Sequence, residues 1–138
     1  MECLFCKICR QEIPAEIVYE DPAAVAFLDI NPRAPGHAMV IPRAHAASLF
    51  EVAPADLGPL FIAVQATAFR LKEALHPQGF TIGINHGKIS GQVVEHLHIH
   101  IIPRFEGDGG KSLHSVVENP PQESLSVIAD KIRRIKKF

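Results

Sequence analysis

The stretch His96-Leu97-His98-Ile99-His100-Ile101-Ile102 decides how this 138-residue chain is interpreted. Polar and apolar residues alternate along it, which predicts a β-strand whose successive side chains point to opposite faces of a sheet. The three imidazoles would then share one face, with Cα atoms about 6.6 Å apart, while Leu97, Ile99 and Ile101 face the core. An exposed strand would accept any polar residue at these positions, so three alternating histidines indicate a chemical role.

Two chemical roles fit such a row of imidazoles, and spacing alone does not separate them. In the first, the three histidines bind a catalytic metal, as three-histidine zinc sites do. In the second, one imidazole is a nucleophile toward phosphorus and its neighbours assist it, because a neutral imidazole is a good nucleophile near pH 7.

The rest of the chain predicts a small α+β domain around this strand. Runs rich in Val, Ile and Phe lie at Ile17–Glu20 and at residues 24–30, 37–41 and 80–85, and they predict further strands. Apolar residues at helical spacing predict a first helix through Leu57, Leu60, Phe61, Val64, Leu71 and Leu75, which ends at His76-Pro77. A second helix follows Pro120-Pro121 and stacks Leu125, Ile128, Ile132 and Ile135 on one side. We therefore expect an antiparallel sheet with two main helices in one domain, residues 1–138. Its core would cover about residues 3–105, and residues 106–138 would form a loop and a helix.

Composition and charge exclude several classes of protein. Apolar residues make up 47% of the chain and charged residues 21%, which is typical of a globular domain. Fourteen basic and fifteen acidic side chains argue against binding to nucleic acid through its phosphates. The longest uncharged apolar run, residues 57–69, is shorter than the ~20 residues of a membrane helix, so no membrane association is expected. No secretory signal is evident, and we expect a cytoplasmic protein.

Three cysteines, Cys3, Cys6 and Cys9, lie within the first nine residues. An odd number clustered at one end makes a poor disulfide framework, so reduced thiols are expected. In a reducing compartment a C-x-x-C pair indicates metal or redox chemistry. No thioredoxin-like pattern of strand and helix surrounds the pair, which favours a metal.

The histidine stretch resembles the signature of the histidine triad (HIT) family, His-φ-His-φ-His-φ-φ with φ apolar, at every position. Other blocks match in the family's order, from Phe5-Cys6-Lys7-Ile8 through residues 26–30, Pro35-Gly36-His37 and residues 40–45 to Gly91-Gln92 and Ile102-Pro103-Arg104. The resemblance covers about residues 3–105. With its N-terminal C-x-x-C pair, the chain looks like the bacterial type of HIT protein, which implies a five-stranded antiparallel sheet.

The resemblance implies a nucleotide phosphoramidase or dinucleoside polyphosphate hydrolase. Such an enzyme attacks the α-phosphorus of a purine mononucleotide or dinucleotide and forms a covalent nucleotidyl-histidine. By motif position His98 is the nucleophile, His100 contacts the phosphate or leaving group and supplies a proton, and His37 is a fourth histidine beside the triad. The family also implies a homodimer. The alternatives are a non-enzymatic nucleotide-binding regulatory module and a zinc metalloenzyme that uses the triad histidines.

By the same resemblance, the Asp29 carboxylate would accept hydrogen bonds from both ribose hydroxyls, as a carboxylate can. The other residues expected at the nucleotide are Phe5, Phe27, Leu28 and Ile30 around the base, and Asn85, Gln92, Val93, His98 and His100 around the phosphate. Val93 departs from the family branches that carry Ser or Thr after the glutamine. A hydroxyl contact near the scissile bond is therefore missing.

For the metal, the resemblance implies a structural zinc ion bound by Cys3, Cys6, His45 and His96. His45 closes the segment Pro42-Arg43-Ala44-His45, and His96 is the first histidine of the triad. Four protein ligands leave no open coordination position, which is typical of structural zinc. Cys9 has no assigned partner in this scheme.

Overall fold

Five strands form one antiparallel sheet in the computed structural model, which describes residues 2–138. The strands are β1 (Ile17–Glu20), β2 (Ala24–Leu28), β3 (Ala38–Pro42), β4 (Gly79–Gly83) and β5 (Ile99–Arg104), in the spatial order β1-β2-β3-β5-β4. The helices are α1 (Leu4–Cys9), α2 (Pro54–Leu75) and α3 (Leu125–Arg133), with short 3₁₀ turns at Leu49–Glu51, Lys88–Ser90 and Leu113–Ser115. The predicted α+β class and five-stranded antiparallel sheet are confirmed. Within residues 2–138, no helix has the length and apolar character needed to cross a membrane.

The histidine strand begins three residues later than predicted, at Ile99, which pairs with Val40 of β3. Continuing the same register would bring Leu97 opposite Pro42, which has no N–H to donate. The N–H of Leu97 donates instead to the carbonyl of Ala46, beyond the end of β3. The first two triad histidines therefore lie in the segment that leads into the strand. The other strand ends differ from the predicted ones by two residues or fewer.

Helix α2 covers one face of the sheet. Its buried side chains recur every three or four residues: Leu60, Ala63, Val64, Thr67 and Leu71. The prediction was wrong for Phe61 and Leu75, which are partly exposed. Phe61 lies about 100° around the helix from Leu60, away from the sheet. Ala63 and Thr67 take the buried positions because their small side chains let the helix approach the strands closely.

Helix α1, which was not predicted, covers the opposite face. Phe5 and Ile8 pack there on side chains of β2 and β3, namely Val25, Phe27, Met39 and Ile41. Because β2 and β3 are buried on both faces, they are apolar throughout instead of alternating. Cys3 caps the helix, and its Sγ accepts the N–H of Cys6 at 3.5 Å. The helix thereby brings both cysteines to the sheet beside the histidine segment.

Helix α3 forms near its predicted position but buries none of its side chains. Leu125 and Ile132, predicted to stack on one side of the helix, are both mostly exposed. The helix is held locally, by its Ser124 cap and by an ion pair between Lys131 and Glu123. The connection from β5 to α3 contains one 3₁₀ turn, in agreement with the predicted surface loop.

Candidate functional site

The triad histidines divide between two groups of polar side chains. One group, the cysteine–histidine cluster, is Cys3, Cys6, His45 and His96; the other, the aspartate–histidine group, is Asp29, His37 and His100. His98 belongs to neither, and its ring centroid lies 5.2 Å from that of His100. Among the described residues, no set of candidate ligand atoms contains all three triad histidines. The geometry therefore does not support a single catalytic metal bound by the whole triad.

His98 presents an unprotonated nitrogen. Its Nδ1–H donates to the main-chain carbonyl of His96 at 2.8 Å. Since a carbonyl only accepts, Nδ1 carries the hydrogen and Nε2 carries the lone pair of the neutral ring. The ring of Phe5 packs edge-to-face on the imidazole, with 5.2 Å between centroids. The Nε2 of His98 is thus both free to react and fixed in direction.

His100 adopts the opposite tautomer. The N–H of Arg33 donates to Nδ1 of His37 at 3.1 Å, so His37 carries its hydrogen on Nε2. That Nε2–H faces Nδ1 of His100 at 2.9 Å, so His100 accepts at Nδ1 and carries its own hydrogen on Nε2. Neighbouring histidines therefore present a lone pair (His98) and a hydrogen-bond donor (His100).

Burial keeps the two imidazoles of the aspartate–histidine group neutral at pH 7. Burial, reinforced by the nearby His98 and His37 rings, lowers the pKa of His100 to about 4 against the opposing effect of Asp29. Burial also lowers the pKa of His37, against the opposing effect of the Asp29 carboxylate. Asp29 Oδ2 lies 3.5 Å from the His37 Nε2. A metal ion here would have to replace the hydrogen on that nitrogen and disrupt the bond from Arg33, so the group fits a hydrogen-bonded network better than a metal site.

These lowered pKa values predict a loss of stability in mild acid. Histidine in an unfolded chain titrates near pH ~6.5, whereas His100 in the folded chain stays neutral down to about pH 4. Between these values the unfolded state binds more protons, so the free energy of unfolding falls as the pH drops from about 7 toward 4. Urea unfolding at both ends of this range measures the effect. His100→Gln should show a smaller loss than wild type, and equal losses in the two proteins would contradict the assignment.

The cysteine–histidine cluster brings two sulfur and two nitrogen atoms within 4.8 Å of one another. The Nδ1 of His96 lies 3.4 Å from Sγ of Cys3 and 3.2 Å from Nδ1 of His45. The Nε2–H of His96 donates to the carbonyl of Pro42 at 2.8 Å, which turns the Nδ1 lone pair toward the cluster. Two thiols and two imidazole nitrogens in this arrangement are the donor set of a tetrahedral zinc site.

Without a metal, burial favours the neutral forms of the side chains in the cluster. Burial, together with the neighbouring Cys3 and Cys9 thiols, raises the pKa of Cys6 to about 11. Burial lowers the pKa of His96, so its ring is neutral at pH 7, as a metal ligand must be. A divalent cation lowers the pKa of the thiols that it binds and accepts the imidazole lone pair. Bound here, it would convert the two thiols to thiolate ligands and keep the His96 ring neutral.

The residues predicted to contact the nucleoside lie in different environments. Leu28, Asp29 and His37 line a cavity of about 420 Å³ beside the β2–β3 connection. Asp29 Oδ1 accepts the N–H of Asn31, which fixes the carboxylate at the cavity wall. The predicted base contacts Phe5 and Phe27 are buried and meet edge-to-face, whereas Ile30 is 91% exposed.

Gln92 braces the loop before the triad, a role that the sequence did not reveal. Its Oε1 accepts the N–H of Gly87, and its Nε2 donates to the carbonyls of Ala47 and Val94 at 2.8 and 3.1 Å. Both amide hydrogens are therefore engaged within the protein. The other two residues predicted near the phosphate, Asn85 and Val93, are exposed on the same loop.

The sheet, the opposed histidine tautomers and the cysteine–histidine cluster together define an α+β domain of the histidine triad class. The HIT domain family model matches residues 10–107, and the chain belongs to the HIT family. It is 48% identical over 107 residues to the uncharacterised HIT-like protein MJ0866 of Methanocaldococcus jannaschii, which covers 78% of this chain and 82% of that protein. It is 38% identical over 104 residues to the adenosine 5′-monophosphoramidase hnt1 of Schizosaccharomyces pombe, 75% of each chain. The family thus includes hydrolases.

Solved structures extend the comparison to the fold and the metal. A HIT family protein from Bacillus subtilis matches with a TM-score of 0.87 and 34% identity, covering 100% of both chains. A zinc-bound histidine triad protein from Mycobacterium smegmatis matches with a TM-score of 0.74 and 38% identity, covering 79% of each chain. The fold is therefore that of the family, and a related protein of this fold binds zinc.

Proposed function

We propose that this protein hydrolyses the bond between the α-phosphorus of a purine nucleotide and an amine or phosphate leaving group. The observation that carries the proposal is the hydrogen bond from Nδ1–H of His98 to the His96 carbonyl, which leaves the Nε2 lone pair free and oriented. The similarity to an adenosine 5′-monophosphoramidase supports an AMP derivative as the substrate.

In the first step, Nε2 of His98 attacks the α-phosphorus and the bond to the leaving group breaks. The product is a nucleotide joined to the His98 nitrogen, and the ring becomes positively charged. The His96 carbonyl, 2.8 Å from Nδ1, stabilises that charge through a stronger hydrogen bond. In the second step, water attacks the same phosphorus, releases the nucleoside monophosphate and leaves a neutral His98 after loss of a proton.

His100 supports the transfer from the neighbouring position. A pKa of about 4 makes the neutral ring its resting form, so its Nε2–H donates a hydrogen bond to the phosphate or to the leaving atom. Because a neutral imidazole does not release its N–H proton near pH 7, a leaving amine would take its proton from solvent, in place of the proton donation by His100 that the resemblance implies. His37 orients the His100 ring through the 2.9 Å contact between Nε2 and Nδ1.

Asp29 is the proposed ribose contact, and its carboxylate lies at the cavity wall. Replacing it with Asn keeps the size but removes the charge, so ribonucleotide affinity should fall by ~1–3 kcal/mol. Discrimination against the 2′-deoxynucleotide should fall with it. Calorimetry with AMP and 2′-deoxy-AMP measures both effects. Glu73→Gln, an exposed carboxylate on α2, is the matched control and should change neither. An Asp29→Asn protein that separates the two sugars as well as wild type would refute the role.

We further propose that the cysteine–histidine cluster binds one structural zinc ion. All four ligand positions are supplied by the chain, so no coordination site is open for substrate. The site needs reduced thiols, which supports a cytoplasmic location for the protein.

A homodimer is also proposed, as the family resemblance implies. β4 is an edge strand of the sheet, and its Ile82 is exposed, as are Phe61, Ile62 and Phe69 on α2. Exposed apolar side chains and an unpaired strand edge each favour association with a second copy. Sedimentation equilibrium should give twice the chain mass, and Phe69→Glu should shift the protein toward the monomer. A wild-type monomer at micromolar concentration would overturn the assignment.

A further inference from the structure

His96 connects the cysteine–histidine cluster with the proposed nucleophile, His98. Its Nδ1 faces the other three ligand atoms of the cysteine–histidine cluster. Its main-chain carbonyl accepts the Nδ1–H of His98 at 2.8 Å. One residue therefore joins the metal-binding atoms to the nucleophile, with no other side chain between them.

Phe5 makes a second connection between the cysteine–histidine cluster and His98. It lies on α1, between Cys3 and Cys6 in the chain. Its ring centroid is 5.9 Å from that of His96 and 5.2 Å from that of His98, both edge-to-face. Any displacement of the cysteine-bearing helix would therefore displace a ring that contacts the nucleophile.

The segment that carries His96 and His98 has little support from the sheet. β5 begins at Ile99, so neither histidine belongs to the ladder. His100, by contrast, pairs with residues of both β3 and β4. The restraints on the segment are the His96 Nε2–H bond to Pro42, the Leu97 N–H bond to Ala46 and the burial of the Leu97 side chain in the core beneath α2, besides the contacts with the cluster and α1.

We propose that the cysteine–histidine cluster, when it holds its metal, positions the nucleophile through the His96 carbonyl and the Phe5 ring. The four ligands are then positioning residues, and the site does more than stabilise the fold. The proposed ribose contact, Asp29, lies on the β2–β3 connection, which has its own hydrogen bonds. Loss of the metal should therefore lower kcat by about 10²-fold, as expected of a misaligned nucleophile, and leave nucleotide affinity nearly unchanged.

The kinetic part of this inference rests on the proposed function, but a spectroscopic test does not. Nitrogen-15 NMR of labelled histidine distinguishes which ring nitrogen carries the hydrogen. Protein loaded with zinc should show a single Nδ1–H tautomer for His98. The same protein stripped with a chelator should show an averaged mixture at His98, while the signals of His37 and His100 keep their tautomers. AMP affinity, measured by calorimetry, should agree within about twofold between the two forms.

Two variants keep the test decisive. His45→Gln removes one ligand but leaves α1 and the His96 carbonyl in place, so it should resemble the stripped form at low zinc and return to the loaded form in excess zinc. This variant supplies the comparison if the stripped wild type unfolds. Leu71→Ala weakens the packing of α2 on the opposite face of the sheet. It should lower the melting temperature without changing the His98 tautomer.

The outcomes separate this inference from the proposed function. Identical His98 signals in folded loaded and stripped protein would overturn the inference, and so would the same change in Leu71→Ala. Equal rates of nucleotide transfer to His98 in both metal states would also overturn it, while leaving the proposed function intact. A metal-dependent His98 tautomer in a protein that never forms nucleotidyl-histidine would uphold the inference and refute the proposed function.

Discussion

His98→Ala is expected to reduce turnover by many orders of magnitude while nucleotide affinity stays near that of wild type. The substitution removes the atom that bonds to phosphorus and therefore the reaction path, whereas the proposed ribose contact at Asp29 remains. Rapid quenching of wild type with a labelled AMP derivative should trap the nucleotide on His98. The trapped bond should be labile in acid, as a phosphoramidate is.

Two other histidine variants provide comparisons for the turnover of His98→Ala. His100→Gln should be milder, with a loss of ~10²–10³-fold, as expected when one hydrogen-bond donor to the developing charge is lost. His114→Ala changes an exposed residue in a 3₁₀ turn outside the site and should leave turnover unchanged. Substantial activity in His98→Ala, with no label found on His98 in wild type, would show that the triad serves binding only.

The second large effect concerns the metal. Purified protein should contain about one zinc per chain, and the double variant Cys3→Ser, Cys6→Ser should lose both the zinc and much thermal stability. Binding free energy at a structural zinc site contributes directly to folding, and each kcal/mol lost lowers the melting temperature of a domain this size by about 4 °C. Elemental analysis and calorimetric melting measure the two quantities.

Cys9→Ser is the matched control, because Cys9 lies near the cluster in the chain but outside the set of four ligands. It should keep its zinc and melt close to wild type. Metal-free wild type with an unchanged melting temperature would contradict a structural zinc site, whatever the double variant does.

The side chains that carry the chemistry could be predicted from the sequence because their signals are local. Alternating histidines and a C-x-x-C pair are unusual patterns, and strands β2 and β3 show as apolar runs bounded by turn residues. The prediction placed His96 and His98 inside a strand, however. Only the pairing with β3 shows that the ladder stops at Ile99, since the obstacle is a proline on a different strand.

The rest of the site depends on main-chain atoms, which look alike in every residue. The tautomers of the site follow from the carbonyls of His96 and Pro42 and from the N–H of Arg33. No side-chain pattern marks these groups, so they become visible only in the folded chain. Similarly, Ala63 and Thr67 gave too little hydrophobic signal to be preferred over Phe61 as buried residues of α2.

The separation of the two sheet faces offers a practical route to engineering. Along β3, Ala38 and Val40 point toward α2, whereas Met39 and Ile41 point toward α1 and the histidine side. The two faces belong to different core clusters, and substitutions that share no packing partners usually have additive effects. A library restricted to the α2 face can therefore be selected for thermal tolerance with the reactive groups untouched, and a library on the α1 face can be selected for new leaving groups in the stabilised background. The fold thus allows robustness and specificity to be evolved one after the other.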